Sequence, residues 1–231
     1  MRFDTVLIDI DDTLFDFRKS SYQALVKAFS EIGFSFGEQE MREYEVFNNQ
    51  MWKSFELGEI EKDFIYAERF RRYFASIGLN ADPVEINRRY LLELAEGRNF
   101  MPHCRELLQA LHGKYLVVVV TNGDTYAQER RIEISGMAQY FDYVFISEQL
   151  GCRKLLGCID VFEAERGTGN LDNLGLIQIT GMDLVDQTED ALAGLVKQLT
   201  GNRRASLTAP HGAQRLNPPL LARHAHVERL G

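Results

Sequence analysis

Short apolar runs alternate with longer amphipathic stretches along this chain of 231 residues. The runs are rich in β-branched residues, as expected of strands that are buried on both faces of a parallel sheet. The predicted strands are 6–10, 115–120, 143–146 and 176–179. The helices predicted between successive strands are 103–112, 125–135 and 158–166. Alternation of strand and helix indicates an α/β, Rossmann-like three-layer core with a doubly wound parallel sheet.

A long helical stretch interrupts this core directly after the first strand. Tyr22, Leu25, Val26 and Phe29 recur at helical spacing and predict one apolar helix face. The apolar pattern continues through Met51, Phe55, Leu57, Phe64, Ile65, Phe70 and Phe74. Gly33, Gly58 and Gly78 stand near the predicted ends of helices. Asp82 and Pro83 are predicted to be the N-cap and the first residue of another helix. We therefore predict a core of residues 1–16 and 99–231 and an inserted cap of about four helices over residues 17–98.

Three carboxylates follow the first strand within four residues, at Asp9, Asp11 and Asp12, and Thr13 comes next. Burying this much negative charge without partners would be very costly, so the cluster points to a cation or to phosphate chemistry. A plain turn is the alternative, because Asp and Thr both favour turns. One carboxylate can attack phosphorus as a nucleophile, and a second can donate and accept the proton. Mg²⁺ prefers such oxygen ligands together with a substrate phosphate.

The sequence Asp9-x-Asp11-x-Thr13-Leu14 after an apolar strand resembles the first motif of the haloacid dehalogenase superfamily. The resemblance implies that Asp9 is the nucleophile and a Mg²⁺ ligand, and that Asp11 is the general acid and base and also lies at the metal. Thr121-Asn122-Gly123, after the second strand, resembles the second motif, so Thr121 and Asn122 are expected to bind the transferred phosphoryl group. The helices inserted after the first strand resemble the cap of one subgroup.

The third and fourth motifs of the superfamily are matched less closely. Lys154 stands where a charge-balancing lysine is expected, with Leu155 in place of the usual proline and Arg153 as the alternative cation. In the fourth motif, Met182 occupies the position of an acid, and Asp183 and Asp186 are the candidate metal ligands, displaced by one residue. The alternative is that these acids only line a solvated helix N-terminus, where negative charge is favoured.

The stretches 121–148 and 48–58 further resemble the bacterial pyrimidine 5′-nucleotidase group, which dephosphorylates nucleoside monophosphates. This resemblance implies a nucleoside 5′-monophosphate as substrate, with a sugar phosphate or phosphoglycolate as the nearest alternative. Phe47, Trp52 and Phe55 could stack on a base. Their helical spacing nevertheless favours core packing for any one of them.

Composition narrows the function classes. A net charge of −8 argues against a nucleic-acid polymer as partner, and no apolar run is long enough to span a membrane. Three cysteines and the absence of a signal peptide favour the cytoplasm. We expect a monomer or a homodimer, and the sequence does not decide between them. We therefore expect a Mg²⁺-dependent phosphatase that acts on a small phosphate monoester. The alternative is a catalytically weak, phosphate- or ligand-binding relative whose metal site is impaired at Met182.

Overall fold

The structure, a computed structural model, describes residues 5–150 and the strand 176–179. In chain order the elements are β1 (Thr5–Ile8), α1 (Phe17–Ser30), α2 (Glu38–Glu56), α3 (Lys62–Ile77), α4 (Pro83–Ala95), α5 (Cys104–Leu111), β2 (Leu116–Thr121), α6 (Thr125–Ser135), a 3₁₀ turn (Ala138–Tyr140), β3 (Tyr143–Ile146), α7 (Ser147–Leu150) and β4 (Leu176–Ile179). Each predicted strand and each predicted helix within the described residues is present. The α/β, Rossmann-like prediction is confirmed, and the predicted helix 158–166 lies outside the described residues.

The described strands form one parallel sheet in the order β3-β2-β1-β4. Ile8 of β1 pairs with Val119 of β2 on one side and with Ile179 of β4 on the other. Strand β1 is buried on both faces, with side-chain exposures from 0% to 3% between Thr5 and Ile8. This explains why its sequence is an unbroken apolar run instead of an alternating one.

The four helices α1 to α4 surround an aromatic core. Phe29 stacks on Phe36 with ring centroids 4.8 Å apart, and Tyr44 stacks on Phe70 at 5.2 Å. Burying rings of this size supplies most of the hydrophobic stabilisation of so small a bundle. Asp82 caps α4 as predicted, because its side chain accepts a hydrogen bond from the Val84 N–H at 2.9 Å.

Two side chains of the predicted apolar pattern are exposed. Leu57 is 65% exposed and Phe64 is 47% exposed, whereas Ile65, Phe70 and Phe74 are buried as expected. Leu57 lies in the turn after α2, where no helix face constrains it. Phe64 neighbours the buried Ile65 on α3, and adjacent helical residues point in different directions.

The chain forms two compact units. The first, the sheet unit, contains described residues 5–14, 100–122, 132–150 and 176–179, and the second, the helical unit, contains Phe15–Asn99 together with Gly123–Arg131. The predicted core and cap boundaries stay a prediction, and these units divide the chain at other points. No helix in the described ranges combines the length and the apolar character needed to cross a bilayer.

Candidate active site

The acidic cluster lies where β1 ends. Asp9 is the first residue after the strand, is half-buried, and its Oδ1 accepts a hydrogen bond from the Ile10 N–H at 2.8 Å. The chain then makes a single helical turn, closed by the Leu14 N–H donating to the Ile10 carbonyl at 2.8 Å. This turn brings Asp11 and Asp12 to the same end of the sheet as Asp9, and both are half-buried.

Asp12 has the left-handed backbone conformation, with φ at 56°. A residue other than glycine in this region stores strain of roughly 1–3 kcal/mol, and such strain is concentrated at functional sites. Asp and Asn tolerate the left-handed region better than most residues do. An acid at position 12 is therefore compatible with this backbone conformation, and Asp9 and Asp11 both precede it.

Strand β2 brings the second motif next to the first. Thr121 is the last residue of β2 and is 1% exposed, and it pairs with Ile146 of β3 on the far side. Because Ile8 pairs with Val119, Asp9 comes one residue and Thr121 two residues after this pair, at the carboxyl edge of the sheet. Neighbouring strands are about 4.8 Å apart, and this edge is where open α/β sheets bind their ligands.

The loop that follows β2 is built on a close approach between Gly123 and Gln128 in the helical unit. A Cβ atom added to Gly123 would lie 2.0 Å from Nε2 of Gln128 and 2.6 Å from its Cδ. Gln128 cannot easily move, because it is 2% exposed and accepts a hydrogen bond from the buried Arg131 guanidinium at 3.2 Å. The glycine of the second motif is thus required by packing as well as by any ligand.

Gly123→Ala is therefore expected to lower the free energy of unfolding by about 1–3 kcal/mol, the usual cost of overpacking a filled site. Chemical denaturation followed by circular dichroism measures this change. Gly113→Ala is a contrasting variant, because a Cβ at Gly113 would meet no atom within 4 Å and only its φ of 74° would be strained. Wild-type stability in Gly123→Ala would show that Gln128 relaxes freely and that this packing argument is wrong.

The helical unit also contributes two polar side chains to this loop. The ammonium Nζ of Lys62, the first residue of α3, donates to the Gly123 carbonyl at 2.6 Å. The hydroxyl of Tyr66 donates to Oδ2 of Asp124 at 3.4 Å, and Oδ1 of Asp124 accepts from the Ala127 N–H at 2.9 Å. Sequence reasoning missed these residues, because a lone lysine at the start of a helix is usually solvated. No local sequence signal identifies them, because the residues that Lys62 and Tyr66 contact lie about 60 positions further along the chain.

The structure brings together part of the predicted site. Asp9, Asp11, Thr121 and Asn122 all lie at the carboxyl edge of β1 and β2. Lys154, Asp183 and Asp186 lie outside the described residues, as does Arg153. Strand β4 ends at Ile179, which pairs with Ile8, the residue directly before Asp9.

The residues present offer the right kind of ligand for Mg²⁺, but only part of a full set. Asp9 and Asp11 supply hard carboxylate oxygens, which this ion prefers. Among residues 5–150 and 176–179, no three His, Cys, Asp or Glu side chains are grouped as a metal site. Mg²⁺ at phosphoryl-transfer sites is usually held by one or two carboxylates together with substrate oxygens, and Asp9 and Asp11 could supply two carboxylates.

Cys104 does not belong to this chemistry. It is 2% exposed at the start of α5, and burial raises the pKa of its thiol to about 11. The thiolate, the reactive form, is therefore scarce at neutral pH. Cys152 and Cys158 lie outside the described residues.

Comparison with known proteins gives consistent matches. The family of haloacid dehalogenase-like hydrolases matches residues 3–159. The chain is 34% identical over 155 residues to the pyrimidine 5′-nucleotidase PynA of Streptococcus pneumoniae, covering 67% of this chain and 65% of PynA. It is 29% identical over 154 residues to the pyrimidine 5′-nucleotidase YjjG of Escherichia coli, covering 67% of each chain. The match thus spans about two thirds of the length of these curated relatives.

A solved structure shows a similar fold. The crystal structure of YfnB from Bacillus subtilis, bound to magnesium, superposes with a TM-score of 0.69. The superposition covers 74% of this chain and 75% of YfnB, at 26% sequence identity.

Proposed function

Because this chain belongs to the haloacid dehalogenase-like hydrolase family, we propose that it hydrolyses a phosphate monoester through an aspartyl-phosphate formed on Asp9. The proposed substrate is a nucleoside 5′-monophosphate, as the names of two relatives suggest. The observation that carries the proposal is the placement of Asp9, Asp11 and Thr121 at the carboxyl ends of two paired parallel strands.

In the first step, a carboxylate oxygen of Asp9 attacks phosphorus and the bond from phosphorus to the ester oxygen breaks. Asp11, protonated at this stage, donates its proton to the departing ribose oxygen. In the second step, Asp11 takes a proton from water, the water oxygen attacks the phosphorus of the aspartyl-phosphate, and orthophosphate leaves Asp9. Asp11 thus acts first as an acid and then as a base. These two roles require a carboxyl group that is separate from the nucleophile Asp9 and close to it.

The phosphoryl oxygens would be held by the Thr121 hydroxyl, the backbone at Asn122 and the ammonium of Lys154. Donors fixed before the reaction cost no reorganisation when charge develops in the transition state. Thr121 is suited to this role, since a residue at the end of a buried strand has little freedom. Positioning and electrostatics would account for most of the rate enhancement, as is usual for phosphoryl transfer.

The proposed cofactor is Mg²⁺, held by Asp9, Asp11 and one or both of Asp183 and Asp186. When bound, the ion would reduce repulsion between the attacking carboxylate and the negatively charged phosphate. YfnB is bound to magnesium in its crystal structure, which supports the same ion here.

Phosphate release from a panel of monoesters, with and without Mg²⁺, tests the proposal. The panel contains pyrimidine and purine nucleoside monophosphates, a hexose phosphate, phosphoglycolate and a nitrophenyl phosphate. Faster hydrolysis of pyrimidine nucleotides, lost when the metal is chelated, is the expected result. Release from none of them, together with tight binding of orthophosphate, would instead identify a phosphate-binding relative with an impaired metal site.

Trp52 is the proposed contact for the base. Its indole is half-buried and packs edge-on against Phe55, with ring centroids 5.8 Å apart and planes at 86°. Phe55 is 5% exposed beside Met51 and Ile65, and Phe47 packs against the main aromatic core. Of the three aromatic candidates, Phe55 is buried whereas Phe47 and Trp52 are both half-buried, and Trp52 has the larger ring of these two.

Trp52→Ala is expected to raise KM for a nucleotide about 5- to 150-fold, the equivalent of one base stack, and to leave KM for nitrophenyl phosphate nearly unchanged. Steady-state kinetics on the two substrates measure the difference. Phe55→Leu is the matched control, because it disturbs the same small cluster without removing the indole. Equal losses on both substrates, with a lowered melting temperature, would assign Trp52 to packing alone.

A further inference from the structure

Lys62 occupies an unfavourable place for a cation. It is the first residue of α3, where the aligned peptide dipoles place partial positive charge, and it is 8% exposed. The other lysines of the helical unit, Lys19, Lys27 and Lys53, are exposed. A buried ammonium at a helix N-terminus needs a compensating interaction, since lysine is almost never buried without one.

The compensation comes from the loop that follows the second motif. Lys62 Nζ donates to the Gly123 carbonyl at 2.6 Å, which is a short hydrogen bond with a charged donor. Such bonds are stronger and more directional than neutral ones. The bond therefore fixes the peptide plane between Gly123 and Asp124, one residue beyond Asn122 in the sequence.

The same face of α3 holds the next residue of the loop. Tyr66, one helical turn after Lys62, contacts Asp124 through its hydroxyl, and Asp124 in turn caps α6. Its ring lies between two cations, 5.9 Å from Lys62 Nζ and 6.0 Å from the Arg69 guanidinium. Arg69 is itself anchored, because it donates to Asn87 at 2.7 Å and to Asn48 at 3.1 Å.

These contacts form a continuous support from the buried interior of the helical unit to Gly123 and Asp124. Gly123 is held on its other side by Gln128, which leaves no space for a Cβ atom. Removal of the Lys62 ammonium would take this charged donor away from the Gly123 carbonyl, and the peptide between Gly123 and Asp124 would rotate more easily.

We propose that Lys62 is a positioning residue for the phosphate-binding loop: by holding the Gly123 carbonyl, it fixes the stretch of backbone that directly follows Asn122. This inference rests on the proposed function, in which the Asn122 backbone holds a phosphoryl oxygen. Lys62 acts on the group shared by every monoester substrate, not on the leaving group. Its removal therefore has a kinetic signature different from that of a base-contacting residue such as Trp52.

The test compares Lys62→Met, Lys62→Arg and the control Lys53→Met in the full chain with excess Mg²⁺. Lys62→Met is expected to lower kcat/KM for a nucleotide and for nitrophenyl phosphate by the same factor, about 10- to 100-fold, since misplacement by about 1 Å has that effect. Its affinity for orthophosphate, measured by calorimetry, is expected to fall as well. Lys62→Arg keeps a charged donor and is expected to recover part of each loss, whereas Lys53→Met is expected to match wild type.

Several outcomes separate this inference from the function on which it rests. Loss on the nucleotide alone would make Lys62 a leaving-group contact and overturn the positioning role. An active wild type whose Lys62→Met variant matches Lys53→Met would overturn the inference alone. A wild type that neither releases nor binds phosphate would overturn the proposed function and this inference with it. If Lys62→Met fails to fold, Lys62→Gln is read in the same way, and wild-type kinetics in Lys62→Gln would also overturn the inference.

Discussion

Asp9→Asn is expected to lower kcat by at least about 10³-fold while leaving the fold intact, a loss typical of a deleted nucleophile. The amide nitrogen and oxygen cannot form the aspartyl-phosphate, and a neutral side chain is a poorer ligand for Mg²⁺. The fold is expected to survive because Asp9 lies just past β1, and the amide oxygen of Asn can still accept the Ile10 N–H. Steady-state phosphate release and a thermal melt measure the two parts of the prediction.

Asp12→Asn is the matched control for this variant. It removes the same charge three residues away, and asparagine tolerates the φ of 56° found there. We expect it to keep turnover within about tenfold of wild type, since the proposed mechanism gives Asp12 no step. A folded Asp9→Asn variant with near wild-type turnover would refute the assignment of Asp9 as the nucleophile. An Asp12→Asn variant as damaged as Asp9→Asn would show that the two carboxylates are not distinguished in this way, and the assignment to Asp9 would lose its support.

Asp11→Asn has the second largest expected effect, about 10²- to 10⁴-fold on kcat for a nucleotide, because the proton transfers in both steps are lost. A nitrophenyl leaving group needs no protonation, so the first step is expected to survive with that substrate. The second step still lacks its base, and the aspartyl-phosphate should therefore accumulate. A burst of nitrophenolate and a phosphorylated species in intact-protein mass spectrometry are the two measurements.

The comparison with nitrophenyl phosphate separates the role of Asp11 as an acid from its other possible roles. If Asp11→Asn loses equal activity on the nucleotide and on nitrophenyl phosphate, and no phosphorylated protein is detected, Asp11 does not act as the leaving-group acid. Its carboxylate would then serve the metal or the fold alone. Rescue of turnover by added Mg²⁺ would distinguish the metal role, because occupancy follows mass action.

Much of the sheet could be predicted from sequence because the parallel strands are buried on both faces. Strand β3 was predicted with the bounds that it has, and β2 with a shift of one residue. The predicted helix 125–135 also has the observed bounds. In each case an apolar run or a helical period is bounded by turn residues, so a local signal was sufficient.

The position of Asp9 and Thr121 at a common edge was predictable for the same reason. Parallel strands joined by helices place their carboxyl ends together, whatever the details of packing. The predicted ligands Asp183 and Asp186 had no such support, since their assignment depended on a one-residue register in a motif that departs from the family pattern. Lys154, Asp183 and Asp186 remain predictions.

The contacts of Lys62 could not be predicted from sequence. They join residues 61 positions apart, and no periodicity or local motif links a helix N-terminus to the loop after a distant strand. The exposure of Leu57 and Phe64 was missed for a related reason, because hydrophobicity indicates that a side chain can be buried, not that a partner is available.

The helical unit is assembled from two separate stretches of the chain. This affects both its folding during synthesis and its transfer to another protein. Ala127 is part of the aromatic cluster that Phe29 and Phe70 build, although it follows the inserted helices in sequence by a strand and a helix. During synthesis the bundle cannot be complete until residue 131 has left the ribosome, well after its fourth helix. A chimaera that transplants only residues 15–99 onto a related sheet would leave this cluster open to water where Ala127 belongs. Transfer of the complete helical unit needs four junctions, two at the ends of residues 15–99 and two at the ends of residues 123–131.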